Sequence, residues 1–283
     1  RFSWWNPWSP TDRLVIGYLF FLTAWTLLGW HRITHPALHL TLNLILMLTF
    51  AGRSRLLQSS SSGWSSVWLL VPIPLLVWWY PQATLLRHVL FPTDLDAWIL
   101  PVERFLFRTE LYRLLPRLLP RWTSELLHGI YFLYYLLLFF IPYLGYARDP
   151  RLARETVFSI LGTMLSLQIV IMIFPTSGPV YLHDQSFPDP GWFTRLMNWV
   201  YRTFDQGGGA FPSIHSAAAV VLVAYGSRLF PAWRAGLLTF LILLLLATVA
   251  CSYHYTLDMV SGAVIGRLSL PLWTRLYTVW NRT

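Results

Sequence analysis

The stretch GGGAFPSIHSAAAVV, residues Gly207–Val221, joins three consecutive glycines to the start of an apolar helix. Glycine costs a helix about 1 kcal/mol per residue relative to alanine, so the triplet predicts a loop. The apolar run Ile214–Phe230 that follows predicts a membrane-spanning helix. His215 is therefore expected at the mouth of a span, directly after a Pro-Ser helix start.

The composition of the whole chain supports a membrane location. Of its 283 residues, 55% are hydrophobic, 17% are aromatic and only 12% are charged, and the mean hydropathy is +0.50. Soluble domains carry about 25% charged residues, so this chain has too little polar material to cover a water-facing surface. We therefore predict an all-α integral membrane protein, and the composition excludes a soluble enzyme.

Eight segments are predicted to span the membrane, or six or seven if the early ones are re-entrant. A span needs roughly 20 mostly apolar residues. The segments are Val15–Trp30, Leu38–Ala51, Trp64–Tyr80, Glu125–Tyr146, Thr156–Phe174, Ile214–Phe230, Ala235–Cys251 and Asp258–Trp273. We divide the chain into N-terminal spans in residues 1–63 and a catalytic membrane domain in residues 64–283.

The net charge of the chain is +9. All of its basic residues other than histidine are arginines, because the chain contains no lysine. These arginines flank the predicted spans, so we expect a membrane and no nucleic acid as the partner. Arginine-rich short loops mark the cytoplasmic side. They lie at Arg53, Arg55, Arg148, Arg151, Arg154, Arg228, Arg234, Arg275 and Arg282. The opposite side, which receives both His215 and His254, is then extracytoplasmic or lumenal. The sequence does not indicate an oligomeric state.

Two segments of the non-cytoplasmic side have the pattern of helices that lie at a membrane surface. In Arg108–Trp122, an arginine recurs every fourth residue among leucines, and two prolines interrupt the helix. In Gly191–Phe204, Arg195 and Arg202 lie two turns apart beside an apolar stripe. We expect interfacial anchors that also shape a lipid entry and supply cations to an anionic headgroup.

The glycine loop has the features of an anion site. A loop that ends at a helix start exposes N–H groups where the helix dipole is positive. Ser213 adds a hydroxyl donor there.

The segment SYHYTLDMVSG, Ser252–Gly262, supplies a histidine and a carboxylate. His254 and Asp258 are four residues apart, so on a helix the carboxylate can reach a ring nitrogen. Such a pair fixes the tautomer and leaves the other nitrogen nucleophilic. One hairpin separates the two predicted spans, so His215 and His254 are expected on the same side of the membrane.

Two histidines, one aspartate and an anion-binding loop suit phosphoryl transfer. One histidine attacks phosphorus, the carboxylate orients it, and the second histidine protonates the departing oxygen. The N–H donors stabilise charge on the phosphoryl oxygens. We expect no cofactor and no metal. A single cysteine, Cys251, rules out a multi-cysteine metal site.

The segments GAFPSIHSA and HYTLDMVSG resemble the second and third signature motifs of the type-2 phosphatidic acid phosphatase superfamily. They are closest to its branch that contains inositol phosphorylceramide synthase. FPTSGPVY, Phe174–Tyr181, is similar to a further segment of that branch. The resemblance covers roughly Asp94 to Gly266, and it implies a six-span helical core without metal.

The resemblance also implies residue roles. His254 is then the nucleophile that forms a phosphohistidine, Asp258 orients it, and His215 acts as acid and later as base. The phosphate oxygens are then held by Ser213, Gly208 and Gly209.

The chain departs from the family pattern at its cationic clamp. Ala247-Thr248 stand where the family has Ser-Arg, and there is no Lys-x6-Arg-Pro motif. Arg195 or Arg202 is a candidate substitute. A weaker clamp favours a phosphodiester over a doubly charged monoester, and therefore the synthase-like branch.

Three further polar residues are candidate contacts for an acceptor alcohol or a headgroup. Glu125 and His128 share one helix face, and the alternative for them is an interfacial hydrogen-bonded pair. Ser177 lies in FPTSGPVY.

We therefore expect a membrane enzyme that transfers or hydrolyses a phospho-headgroup on a lipid, with membrane lipids as substrates. One alternative is a phosphatase of lipid phosphate monoesters such as phosphatidic acid or isoprenyl diphosphate. The alternative of another class is a proton-coupled transporter or scramblase. Its expected inverted repeat is not evident in the sequence.

Overall fold

The computed structural model describes residues 8–59, 69–204 and 207–282. Within these residues the chain is all-helical and contains no β-strand. The helices are α1 Pro10–Leu28, α2 Pro36–Ser59, α3 Pro72–Leu85, α4 Asp96–Phe107, α5 Leu111–Leu118, α6 Arg121–Arg148, α7 Pro150–Ile173, α8 Trp192–Phe204, α9 Ile214–Leu229, α10 Arg234–Ala250 and α11 Thr256–Arg282. A short helical turn, His183–Ser186, precedes α8.

Several helices begin where the sequence supplies an N-cap. Ser9 caps α1 within a capping box. Asp149 caps α7 by accepting the N–H of Leu152 at 2.9 Å. Ser213 caps α9 by accepting the N–H of Ser216 at 3.2 Å. The helix that carries His215 therefore starts directly after the Pro-Ser pair, as predicted.

Helix α7 forms the centre of the bundle, since 78% of its most apolar 18-residue segment is buried. It packs against α3, α6, α9 and α11. Helices α9 and α11 approach each other closely, because a side chain at Gly262 or Gly266 would collide with the backbone of Ser213 or Ala217. This close packing brings the N-terminal ends of α9 and α11 together at one end of the bundle.

Four segments of the described residues are long and apolar enough to cross a membrane. They are α1, α6, α7 and Pro231–Ala250, which contains α10. Helices α2 and α9 have shorter apolar stretches, and α3 has only 14 residues. Helix α11 has 27 residues but includes Asp258, Arg267 and Arg275. These lengths and compositions support an integral membrane protein, but the count of about eight spans is not confirmed. Residues 64–68 of the third predicted span lie outside the described residues.

The two predicted surface segments are helical. The second forms α8. In the first, Pro116 lies inside α5, so the prediction that it interrupts a helix is wrong. Proline removes a helical N–H and leaves the carbonyl four residues earlier without its usual donor. Here that carbonyl, on Tyr112, accepts the hydroxyl of Ser252 at 3.0 Å. Pro120 does separate two helices, because it is the N-cap residue of α6.

Candidate active site

The glycine loop has a backbone that only glycine adopts easily. Gly207, Gly208 and Gly209 have φ angles of 72°, 108° and 76°. The loop is fastened to Thr176, whose carbonyl accepts the N–H of Gly209 at 2.6 Å and that of Ala210 at 3.2 Å. The Thr176 hydroxyl accepts the N–H of Phe211 at 2.8 Å. The Gly209 amide is therefore used inside the protein, whereas the Gly208 N–H has no protein acceptor among the described residues.

His254 lies in the turn between α10 and α11, and its tautomer follows from one hydrogen bond. Its Nδ1 is 3.1 Å from the carbonyl oxygen of Ala210. A carbonyl can only accept, so Nδ1 carries the proton and Nε2 has a free lone pair. Burial lowers the pKa of His254 to about 4, although the hydrogen bond to Ala210 opposes this. At neutral pH the ring is therefore uncharged and can act as a nucleophile through Nε2.

His215 faces that lone pair from the first turn of α9. Its Nδ1 is 3.5 Å from Nε2 of His254, and the two ring centroids are 5.7 Å apart. The other nitrogen of His215, Nε2, is 3.2 Å from the hydroxyl of Tyr135 on α6. The two histidines thus face each other, and one ring nitrogen of each points to the same part of the site.

Asp258 lies next to His254 but does not accept a hydrogen bond from its ring. Its Oδ2 is 3.7 Å from Nδ1 of His254, which is beyond hydrogen-bond distance. The same oxygen accepts the N–H of Tyr255 at 2.8 Å. Oδ1 is buried and has no hydrogen-bond partner in the described structure. Asp258 thus lies beside the imidazole without a hydrogen bond to it, and the Ala210 carbonyl accepts the ring N–H instead.

The start of α11 is fixed by a second buried carboxylate. Glu103 on α4 accepts the N–H of Thr256 at 3.0 Å and that of Leu257 at 2.7 Å. These are two of the N–H groups that a helix start leaves without partners. Glu103 thus holds the segment that carries both His254 and Asp258.

Arg87 provides a cation beside the glycine loop. A methyl group at Gly208 would lie 2.7 Å from the guanidinium carbon, so the two residues are in direct contact. Arg87 donates to the carbonyl of Thr84 at 2.7 Å and to Oδ1 of Asp94 at 3.0 Å. Its side chain is only 15% exposed. The guanidinium is therefore held in one position against the loop.

Asp94 organises the polar groups around Arg87. It accepts hydrogen bonds from Arg87, from the Ser177 hydroxyl and from His88, the last at 2.9 Å. Burial raises the pKa of Asp94, but these hydrogen bonds outweigh burial and lower the pKa to about 2. The neighbouring Asp96 accepts the N–H of Ser177 at 2.7 Å. Ser177, a predicted headgroup contact, is thus part of the Arg87–Asp94 cluster.

The predicted phosphate-binding residues lie at different places. Ser213 is buried at the α9 start, where its Oγ also accepts the hydroxyl of Ser216 at 3.1 Å. Arg195 is exposed on α8. Arg202 is 72% exposed and pairs with Asp184 at 3.2 Å. Arg87 lies against Gly208, whereas Arg202 lines a separate pocket together with Gly207 and Asp184.

The Glu125 carboxylate forms hydrogen bonds with the first residues of α8. It accepts the N–H of Phe193 at 2.9 Å and both the N–H and the hydroxyl of Thr194. The carboxylate thus binds the N-terminal turn of α8 and fastens that helix to α6.

His128 forms a second, separate histidine pair. Its Nδ1 is 2.7 Å from the carbonyl of Ser124, and its Nε2 is 3.0 Å from Nε2 of His183. Burial lowers the pKa of His183 to about 3. The His183 ring stacks on Tyr253 with a centroid distance of 5.0 Å. His128 also contacts the turn that carries His254 directly, because its Nδ1 is 3.5 Å from Sγ of Cys251 and its ring lies 5.8 Å from that of Tyr253.

An apolar cavity of about 350 Å³ ends at His215. It lies between α3, α6 and α8. Its apolar lining includes Leu76, Val77, Phe132, Leu138, Phe139 and Met164. Its volume is within the range of small-molecule sites, about 300–1,000 Å³.

Sequence reasoning missed Arg87, Tyr135 and Glu103. Arg87 precedes Asp94 in a segment without helical periodicity, and nothing local relates it to a loop more than a hundred residues later. Tyr135 belongs to a run of aromatic and apolar residues, YFLYYLLLFF, in which the pattern does not distinguish one tyrosine from the next. Glu103 had one usable signal, because a carboxylate inside an apolar segment needs a partner.

Within residues 8–59, 69–204 and 207–282, no group of three or more His, Cys, Asp or Glu side chains is arranged to hold a metal ion.

The family model of the PAP2 superfamily matches residues 99–272, which is more than half of the chain. The chain therefore belongs to the PAP2 superfamily. Membership suggests a lipid phosphatase or phosphotransferase, and the apolar helices are compatible with lipid substrates in a membrane. No curated protein and no solved structure is significantly similar to the chain.

Proposed function

We propose that this protein is a membrane enzyme that transfers or hydrolyses the phospho-headgroup of a lipid through a phosphohistidine at His254. The observation that carries the proposal is the hydrogen bond from Nδ1 of His254 to the Ala210 carbonyl, at 3.1 Å. It leaves the Nε2 lone pair directed at His215, 3.5 Å away. A buried, neutral imidazole that is fixed in this tautomer is a competent nucleophile.

In the first step, Nε2 of His254 forms a bond to phosphorus, and the bond from phosphorus to the lipid oxygen breaks. His215 takes up a proton from solvent when the anionic headgroup binds, and as the imidazolium it gives its Nδ1 proton to the departing oxygen. General acid catalysis of this kind contributes about 10²–10⁴ in rate. The positive charge on phosphorylated His254 is stabilised by Asp258, whose Oδ2 lies 3.7 Å from Nδ1.

In the second step, water or an alcohol attacks the phosphohistidine. Neutral His215 takes the proton of the attacking oxygen at Nδ1, and the P–N bond breaks to restore the lone pair of His254. With water as the attacking molecule the enzyme is a phosphatase, and with a lipid alcohol it is a transferase. The same side chains serve both reactions.

Arg87 is proposed as the main cation that holds the phosphoryl group, together with the N–H of Gly208 and the Ser213 end of α9. The contact between Arg87 and Gly208 supports this assignment. Arg87 already pairs with Asp94, so its remaining attraction suits the single charge of a phosphodiester better than the double charge of a monoester. This favours a transferase similar to inositol phosphorylceramide synthase over a monoester phosphatase.

The apolar cavity at His215 is proposed to take a hydrocarbon chain of the substrate, since its walls offer no ionic partner. The site is proposed to face the extracytoplasmic or lumenal side. Arg148 supports this orientation, because it donates to the carbonyl of Leu229 at the far end of α9 from His215. About eight spans, with the first two preceding the catalytic domain, complete the proposed arrangement.

The proposal is tested with purified protein in lipid nanodiscs and a panel of lipids. The panel contains phosphatidic acid, an isoprenyl diphosphate, and phosphatidylinositol with ceramide or diacylglycerol, and products are identified by mass spectrometry. Headgroup exchange between lipids supports the transferase, and free phosphate from the monoesters alone supports the phosphatase.

His254→Ala is the decisive variant, and His31→Ala, at an exposed histidine, is its matched control. We expect His254→Ala to abolish turnover and His31→Ala to retain it. Equal turnover by His254→Ala and the unaltered protein would refute the mechanism. Lipid scrambling or proton flux without any product would favour the transport alternative.

A further inference from the structure

Four tyrosine rings surround His215, and only one of their hydroxyls bonds to it. The rings of Tyr80, Tyr131, Tyr134 and Tyr135 have centroids 6.4, 5.2, 5.5 and 5.9 Å from the imidazole. Tyr135 places its hydroxyl 3.2 Å from Nε2. The Tyr131 hydroxyl bonds to Tyr201 at 3.1 Å, and the Tyr80 hydroxyl donates to the Gly208 carbonyl at 3.1 Å.

The contact with Tyr135 completes a chain of hydrogen-bonding groups through both histidines. The chain runs from the Tyr135 hydroxyl to Nε2 of His215, from Nδ1 of His215 to Nε2 of His254, and from Nδ1 of His254 to the Ala210 carbonyl. The carbonyl end fixes the proton on His254. The hydroxyl end is adaptable, because a tyrosine O–H can either donate or accept.

We propose that Tyr135 is the positioning residue of His215, which keeps the exchangeable proton of that imidazole on Nδ1, the nitrogen that faces His254 and phosphorus. This inference rests on the proposed function. Nothing in the family motifs of this chain assigns a role to Tyr135.

The two protonation states of His215 in the reaction both need an acceptor at Nε2. When His215 is an imidazolium, its Nε2–H is donated to the oxygen of Tyr135, and Nδ1 holds the proton for the leaving oxygen. After that transfer, Nε2 keeps its proton, and Nδ1 has the lone pair that accepts a proton from water or alcohol. Tyr135 never loses its own proton. It therefore acts through His215 in the way that the third member of a catalytic triad acts through its histidine.

The chain offers a matched control one residue away. Tyr134 packs its ring against the same imidazole, but its hydroxyl is buried without a hydrogen-bond partner in the described structure. Tyr134→Phe and Tyr135→Phe remove the same atom from neighbouring residues of α6. Only the second change removes a hydrogen bond to His215.

The experiment compares leaving groups that need a proton with leaving groups that do not. Phosphatidylinositol is paired with myo-inositol p-nitrophenyl phosphate, and phosphatidic acid with p-nitrophenyl phosphate. Release of diacylglycerol requires protonation, whereas p-nitrophenol departs as a stable anion. The first-turnover release of each alcohol is measured for the unaltered protein and for both variants, after equal melting temperatures show that the variants are folded.

We expect Tyr135→Phe to slow diacylglycerol release about 10- to 100-fold, part of the usual contribution of a general acid. Release of p-nitrophenol should change less than about threefold, which is under 1 kcal/mol. Tyr134→Phe should match the unaltered protein on both probes. An equal loss on both probes, or no loss, in Tyr135→Phe would overturn the role of Tyr135 alone. An unaltered protein that is inactive on all four probes would overturn the proposed function as well.

Discussion

The guanidinium of Arg87 lies against the α-carbon of Gly208, so that a methyl group at this glycine would come within 2.7 Å of the guanidinium carbon. Gly208 also has a φ angle of 108°. Two features therefore require a glycine at position 208, namely the backbone conformation and the cation beside it. At Gly207 only the backbone conformation requires glycine, because its φ is 72° and no atom of the described residues beyond its chain neighbours lies within 4 Å of an added methyl group.

This difference gives the first prediction. Gly208→Ala should lower kcat/KM at least about 100-fold, because the methyl group displaces Arg87 from the phosphoryl site and small displacements of positioning groups have effects of that size. Gly207→Ala carries the left-handed strain, which costs about 1 kcal/mol or more, but it leaves Arg87 in place. Steady-state kinetics on the best lipid of the panel distinguish the two. Equal losses in both variants would show that backbone strain alone matters.

The second prediction concerns which arginine binds the phosphoryl group. Arg87→Ala should lower kcat/KM about 100-fold, as loss of a charge-stabilising donor usually does. Arg195→Ala and Arg202→Ala should lower it less than about threefold, since exposed ion pairs contribute little. Arg234→Ala, at an exposed arginine outside the site, serves as the control. A large loss in Arg195→Ala or Arg202→Ala with normal Arg87→Ala kinetics would reverse the assignment.

The third prediction concerns the carboxylate that fixes the start of α11. Glu103→Gln should reduce unfolding free energy by about 1.5–3 kcal/mol, because hydrogen bonds to a buried charged group are lost. It should also lower kcat about 10-fold with little change in KM, since His254 and Asp258 move while substrate binding is retained. Thermal melting and kinetics measure these effects. Glu110→Gln, at the partly exposed partner of Arg104 and Arg113, is the control. An unchanged kcat in Glu103→Gln would contradict the positioning role.

The fourth prediction is a pH dependence. The pKa of His254 is lowered to about 4, so the neutral nucleophile persists from pH 7 to about pH 5 and is lost as the pH falls through about 4. The unfolded chain takes up this proton near the ordinary histidine pKa of about 6.5, so the stability contributed by this group declines as the pH falls from about 6.5 towards 4. The loss of the neutral nucleophile is measured as the first-turnover release of p-nitrophenol at each pH. Each sample is then returned to pH 7 to show that the loss is reversible. A reversible midpoint near 6.5 would contradict burial of a neutral His254.

The membrane class and the His215–His254 neighbourhood can be anticipated because both depend on local pattern. Composition indicates the bilayer, and a single hairpin connects the two histidine-bearing segments. The tautomer could not be anticipated, because it depends on the carbonyl of Ala210, whose direction follows from the three left-handed glycines. The four-residue spacing of His254 and Asp258 suggested a hydrogen bond to the carboxylate instead.

Arg87, Glu103 and Tyr135 show why the rest of the site was not evident. Arg87 contacts Gly208 only after α3 and the glycine loop pack against the same helix, α7. Glu103 binds the backbone of Leu257, and backbone N–H groups carry no sequence signal. The span count is not confirmed for a related reason. Helix α9 has only 16 residues and is shielded by its neighbours, so its apolar sequence reports burial in protein as well as contact with lipid.

The measurement that tests the central claim most directly is the chemical identity of the covalent intermediate. The protein is mixed with a ³²P-labelled substrate, quenched in base within one turnover, and digested for mass spectrometry and phosphohistidine isomer analysis. The account predicts a base-stable, acid-labile phosphate on the peptide that contains His254, attached to Nε2. Phosphate on Nδ1, on His215, or on no histidine while turnover proceeds would contradict it.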